Sequence, residues 1–140
     1  MKTIFLILVC LGVALSGFGQ TGAALLVSVQ NATTSDTLVD ATTDIQAKPV
    51  SGAWKKVVLQ TNLTKLSGTG AGTISVEVSL DGTNYKAHPV ASSATVANSA
   101  SQVFVWELDN FAYTHVRLKY VGSGTQSMKW ASKVKWAGAL

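Results

Sequence analysis

Groups that carry chemistry are scarce in this 140-residue chain, which has one cysteine (Cys10), two histidines (His88, His115) and seven carboxylates. A single cysteine excludes a disulfide scaffold and a cysteine-rich metal site, and carboxylates this thinly spread argue against a metalloenzyme. Proline is also rare, with two residues, and charged residues make up only 13% of the chain. The net charge of +4 rests on so few groups that it does not by itself indicate nucleic acid. What the chain has is 47% hydrophobic residues and 12 glycines, a composition suited to one compact domain.

The N-terminus stands apart from the rest. Lys2 precedes an apolar run from Ile4 to Leu15, and Ser16-Gly17-Phe18-Gly19 follows. Small residues at Gly17 and Gly19 fit a signal-peptidase site, so the mature chain is expected to begin at Gln20 or Thr21, with loss of Cys10. Val9 before Cys10 argues against a lipoprotein site. The competing expectation is an uncleaved anchor over Ile4 to Val27, because no charge occurs between Lys2 and Asp36. The expected organisation is thus a signal peptide or membrane anchor over residues 1–20 and a single domain over residues 21–140.

Beyond residue 20 the hydrophobic pattern has a period of two, and no amphipathic helical stretch is found. Strands are expected over Leu25 to Gln30, over Val57 to Leu63 with Val57, Leu59, Thr61 and Leu63 inward, and over Thr73 to Leu80 with Ile74, Val76, Val78 and Leu80 inward. Between Asn31 and Pro49, Leu38, Val39 and Ile45 are the expected buried anchors of short edge strands. Asp81-Gly82-Thr83-Asn84 signals a hairpin, with Tyr85 to His88 returning until Pro89 ends the ladder. Val90 to Ser101 reads as a loop with a weak edge strand near Thr95 to Ala97, and Val103 to Leu108 turns Phe104, Trp106 and Leu108 to one face.

The last expected hairpin turns at Gly122-Ser123-Gly124. It directs Val116, Leu118 and Tyr120, then Met128, Trp130, Ser132, Val134 and Trp136, to the buried side. Arg117, Lys119, Lys129, Lys133 and Lys135 would then share one basic outer surface. About eight strands joined by glycine-rich and Asp-Gly turns indicate an all-β fold, an antiparallel β-sandwich of jelly-roll or immunoglobulin-like type. The aromatic residues Trp54, Tyr85, Phe104, Trp106, Phe111, Tyr113, Tyr120, Trp130 and Trp136 are expected to fill much of its core.

No catalytic residue, cofactor or metal site is expected. There is no Gly-x-Ser-x-Gly elbow, and neither His88 nor His115 lies in a motif that marks a base. Glu77, Asp81, Glu107 and Asp109 could approach one another across strands, but hydrolases that use paired carboxylates need a cleft, which the sequence does not show. Asp81-Gly82-Thr83-Asn84 lacks the further ligands of a calcium loop, and Ser67-Gly68-Thr69-Gly70-Ala71-Gly72 lacks the lysine of a phosphate loop. Both read as turns. Asn31-Ala32-Thr33 and Asn62-Leu63-Thr64 match the glycosylation sequon, and in the bacterial or phage setting that the signal segment suggests they carry no weight. The basic surface fits an anionic glycan, a cell-surface polymer or an acidic partner, against the alternative of a solvated edge whose lysines prevent sheet-to-sheet pairing. Without aromatics among its charges, it does not indicate a specific nucleic acid.

Ile74 to Lys86 (ISVEVSLDGTNYK) and Phe111 to Lys129 (FAYTHVRLKYVGSGTQSMK) resemble small β-sandwich structural proteins of tailed bacteriophage virions. The Met1 to Gln20 leader looks like export signals of Bacteroidota. The first resemblance implies a non-enzymatic virion structural or decoration protein that contacts other copies of itself and neighbouring virion proteins. The leader favours the alternative, a secreted bacterial carbohydrate-binding or adhesive module, with Trp54 or Trp136 as its exposed aromatic platform.

Overall fold

A computed structural model of the chain describes residues 24–25, 27–28, 37–50 and 52–139. The proposed leader, Cys10, the Asn31 sequon and the remainder of the expected Leu25 to Gln30 strand lie outside the described residues. Among those described there is no helix, and eleven strands form two antiparallel sheets, as the period-two pattern requires. They are β1 (Ala24–Leu25), β2 (Val27–Ser28), β3 (Thr37–Val39), β4 (Thr43–Pro49), β5 (Trp54–Gly68) and β6 (Gly72–Ser79). The chain continues with β7 (Lys86–Ala87), β8 (Ala94–Val96), β9 (Ser101–Phe111), β10 (His115–Gly122) and β11 (Gln126–Ala139).

The first sheet runs β1-β11-β5-β9, with β3 also pairing β11; the second runs β2-β4-β10-β6-β7, with β8 also pairing β6. From β3 to β6 and from β8 to β11 each connection passes to the opposite sheet. Within the five- and six-stranded sheets, the four strands of each that alternate in this way interleave as in a jelly roll, rather than forming the within-sheet hairpins of an up-and-down arrangement.

The core lies between the sheets. From β5 it takes Val57, Leu59 and Leu63, from β6 Ile74, Val76 and Val78, from β10 Val116, Leu118 and Tyr120, and from β11 Met128, Trp130 and Val134, all buried. These are the stripes that alternation selects. Thr61 and Ser132 occupy inward positions too, and the Ser132 hydroxyl donates to Thr61 Oγ1 at 2.7 Å, so two buried polar groups satisfy each other across the β5–β11 pair.

Several expectations are corrected. The described part of the first expected strand splits, Leu25 pairing in one sheet and Val27–Ser28 in the other. On β4 the buried residues are Asp44 and Gln46 rather than Ile45, because Trp130 offers partners for polar groups: its indole Nε1 donates to Asp44 Oδ2 at 2.7 Å, and its carbonyl accepts from Gln46 Nε2 at 3.2 Å. Leu38 is buried, but Val39 is 48% exposed. Leu80 is 67% exposed because β6 ends one residue earlier, at Ser79. Tyr85 lies outside the core, its ring 3.9 Å from the Arg117 guanidinium.

The principal correction concerns β10 and β11. They do not pair: β10 lies between β4 and β6, whereas β11 pairs with β5 on one side and with β1 and β3 on the other. The Gly122-Ser123-Gly124 turn therefore carries the chain from one sheet to the other. Tyr120 and Trp130 meet across the core with ring centroids 5.8 Å apart and planes at 75°. Alternation identifies which side chains enter the core but not which backbone lies alongside, so two strands facing across a sandwich present the same pattern as a hairpin. Close packing holds this corner: a Cβ on Gly122 would come within 2.4 Å of both the Asp40 carbonyl and Gln126 Nε2.

Candidate functional site

The end of the sandwich where β6 and β9 finish and β10 begins gathers loops and aromatic rings. Alternation breaks here. Counting from buried Leu108, Phe111 would point outward, but Asn110 adopts φ 51° and turns Phe111 back into the core. Tyr113 then packs edge-on against Phe111 (5.5 Å, 63°) and against His88 (5.9 Å, 73°), and is left half-buried at the surface.

The loop after β6 is fixed by its own side chains. Asp81 Oδ1 accepts the backbone N–H groups of Thr83 (2.8 Å) and Asn84 (2.7 Å) and the Ser79 hydroxyl (2.8 Å), while Oδ2 accepts from Asn84 Nδ2 (2.7 Å). The Asn84 amide, those two backbone N–H groups and the Ser79 hydroxyl hold the Asp81 carboxyl well below the usual carboxylate range. Gly82 adopts φ +73° here, and a Cβ on it would lie 2.9 Å from His115 Nε2. Thr114 ties the loop to the start of β10, its hydroxyl donating to the Leu80 carbonyl at 2.6 Å. The expected hairpin is present, with β7 returning antiparallel so that Glu77 faces Ala87 and Val78 faces Lys86.

Between this loop, β7 and Tyr113 lies an open groove of about 490 Å3. Leu80, Ala87 and Tyr113 supply apolar surface, and Asp81, Asn84 and Lys86 supply polar groups. It is a preformed concavity of ring, aliphatic and hydrogen-bonding surface. Sequence reasoning found its turn but not its ring, because Tyr113 arrives from a loop some thirty residues further along the chain. Its only sequence signal was the pair of aromatics, Phe111 and Tyr113, beyond a strand end.

The histidines do not form a catalytic pair with an acid. His88 is buried against Tyr113 and His115 Nδ1 lies 2.9 Å from Thr114 Oγ1; neither ring contacts a carboxylate among the described residues. No group of three or more His, Cys, Asp or Glu side chains is placed to hold a metal among the described residues. Burial lowers the pKa of His88 from 6.5. A depressed histidine stabilises the fold above its unfolded pKa, and that contribution is lost as the pH falls through the folded value. The wild type is therefore expected to lose melting temperature as the pH falls below about 6.5, and His88→Gln to flatten that slope. Equal slopes by calorimetry would contradict the assignment.

The five basic residues expected on one surface are divided between two. Arg117 and Lys119 lie on β10, on the outer face of the second sheet, and both contact Glu77: Arg117 Nε donates to Oε2 at 2.6 Å, and Lys119 Nζ is 3.7 Å from Oε1. Lys129, Lys133 and Lys135 lie on β11, exposed on the outer face of the other sheet. Nor do Trp54 and Trp136 form a planar platform, being half-buried against the core with ring planes at 45° and centroids 6.1 Å apart.

No protein-family model and no curated protein matches the chain. Among solved structures it is similar to one described as "CBM4 structure and function", with a TM-score of 0.49 and 13% identity over 86% of this chain and 81% of that one. A second, described as "Bacillus endospore appendages form a novel family of disulfide-linked pili", gives a TM-score of 0.40 and 16% identity over 86% of this chain and 93% of that one. A third, "Family 16 Carbohydrate Binding Module-2", gives a TM-score of 0.37 and 8% identity over 67% and 70%. At these values no residue role carries across.

Proposed function

We propose that the chain is a non-catalytic β-sandwich module that binds carbohydrate in the groove beside Tyr113. The observation that carries this reading is the groove itself, where a half-buried aromatic ring and Leu80 adjoin Asn84, Lys86 and a carboxylate already locked by four hydrogen bonds. A sugar has apolar C–H faces and a rim of hydroxyls, and a fixed surface of this mixture takes it at small ordering cost. The apolar leader supports export, where such a module meets its ligand.

The test is affinity electrophoresis of the full chain through gels containing neutral polysaccharides. Retardation by at least one polymer is expected, and Tyr113→Ala should weaken it about tenfold or more, as loss of a central aromatic anchor does. No retardation by any polymer, or equal retardation of the variant, would count against the groove.

A second reading, a virion structural or decoration protein, follows from the sequence resemblance and draws support from β9. This eleven-residue strand ends its sheet, and Val103 and Val105 are 60% and 54% exposed on it. An open apolar edge suits contact between copies. Sedimentation showing a concentration-dependent oligomer that Val105→Lys dissociates would favour it.

A further inference from the structure

The outer face of the first sheet has an uneven charge distribution. Its carboxylates, Glu107 and Asp109, stand on β9 and are engaged by Lys56 Nζ at 2.8 and 3.7 Å. Across β5, Lys129, Lys133 and Lys135 have no carboxylate partner among the described residues. Register sets them beside neutral hydrogen-bonding side chains: Lys129 faces Thr64, Lys133 faces Gln60, and Asn62 lies between, facing Ala131. A shallow depression of about 220 Å3 runs between Val58, Gln60, Lys133 and Lys135.

Two of the three lysines stand where β11 is paired on both sides: Lys129 faces Thr64 of β5 and Thr37 of β3, and Lys133 faces Gln60 of β5 and Leu25 of β1, whereas Lys135 is paired only to Val58 of β5 among the described residues. Protection of an unpaired strand edge therefore does not account for Lys129 and Lys133. Alternate residues on a strand are about 7 Å apart, so the three ammonium groups form a line roughly 20 Å long beside a row of amides and hydroxyls.

We infer that this strip binds an extended acidic polysaccharide. Charge complementarity selects a polyanion, the parallel row of Thr64, Asn62 and Gln60 offers partners for sugar hydroxyls, and the flat outer face admits a chain passing over it. Single-stranded nucleic acid fits less well, because no aromatic side chain stands among the lysines for a base to stack on. This surface is separate from the Tyr113 groove and does not depend on it.

The test measures binding of soluble polygalacturonate to the full chain, with neutral dextran and single-stranded DNA as comparators. Three ammonium–carboxylate contacts, with the counterion release of a single-stranded polyanion, imply that affinity falls about twentyfold between about 50 and about 200 mM salt. Lys133→Glu with Lys135→Glu should abolish polygalacturonate binding, Lys129→Gln with Lys133→Gln should weaken it severalfold, and Tyr113→Ala and Arg117→Ala should leave it unchanged. No binding at low salt, unchanged binding in both lysine variants, or DNA bound as tightly as polygalacturonate would overturn the inference. Because Tyr113 lies outside the lysine strip, loss of neutral-sugar binding and loss of polyanion binding are scored independently.

Discussion

Replacing Gln126 by methionine is expected to lower stability by about 3–4 kcal/mol and the melting temperature by roughly 10–15 °C. Gln126 is buried and uses its whole amide. Nε2 donates to the carbonyls of Ala71 (2.7 Å) and Asp40 (3.2 Å), and Oε1 accepts from the Ala71 N–H (2.9 Å) and the Tyr120 hydroxyl (3.1 Å). One side chain thereby ties the turn after β3, the approach to β6, and β10 to the start of β11, at the corner where the chain changes sheets. Methionine keeps the length but offers no donor and only a weak acceptor, so several polar groups lose their partner together, each loss worth about 1–3 kcal/mol before relaxation. Tyr120→Phe removes only one of the four bonds and should cost about 1 kcal/mol. Equal losses for the two variants in denaturant unfolding would contradict the hub.

Trp130→Ala should cost about 4 kcal/mol, the scale of deleting a fully buried indole from a packed core. Trp130 is buried between the sheets, packs edge-on against Tyr120, and donates its N–H to Asp44 Oδ2. Trp130→Phe separates the two contributions. It keeps much of the packing but removes a donor to a buried carboxylate, a charge-assisted bond worth about 1.5–3 kcal/mol. If phenylalanine costs nothing, the indole–carboxylate bond does not stabilise β4 in its polar-inward register, and Ile45 rather than Asp44 would be free to turn to the core.

That register shows where sequence reasoning stops. The inward stripes Val57–Leu59–Thr61–Leu63, Ile74–Val76–Val78, Val116–Leu118–Tyr120 and Met128–Trp130–Ser132–Val134 were all legible, because each is set by its own strand and the presence of a core. β4 was not, since what buries Asp44 and Gln46 is a partner more than eighty residues away. The same holds for the β10–β11 turn. Its glycines are equally consistent with a hairpin and with a crossing between sheets, and only the competition of β4, β6 and β5 for those strand edges decides.

The candidate site was half legible for a related reason. The Asp81-Gly82-Thr83-Asn84 turn is a local hydrogen-bonding device, and four consecutive residues announce it. Its groove is not local. Tyr113 reaches it only because Asn110 takes a left-handed conformation, burying Phe111 and redirecting the chain. The basic surface failed in the opposite way: each lysine was placed correctly as outward, but a single face was assembled from strands that lie in different sheets. Glu77, which faces Arg117 across β6 and β10, neutralises one part, while the β11 lysines have no carboxylate partner among the described residues.

The most direct measurement is an amide chemical-shift titration of the full chain with neutral oligosaccharides taken from whichever polysaccharide retards it. The account expects saturable shifts confined to Leu80 through Ala87 and Phe111 through His115, with the amides of β11 unmoved. Saturable shifts confined to another surface, or none in the presence of any retarding sugar, would contradict a carbohydrate site at Tyr113.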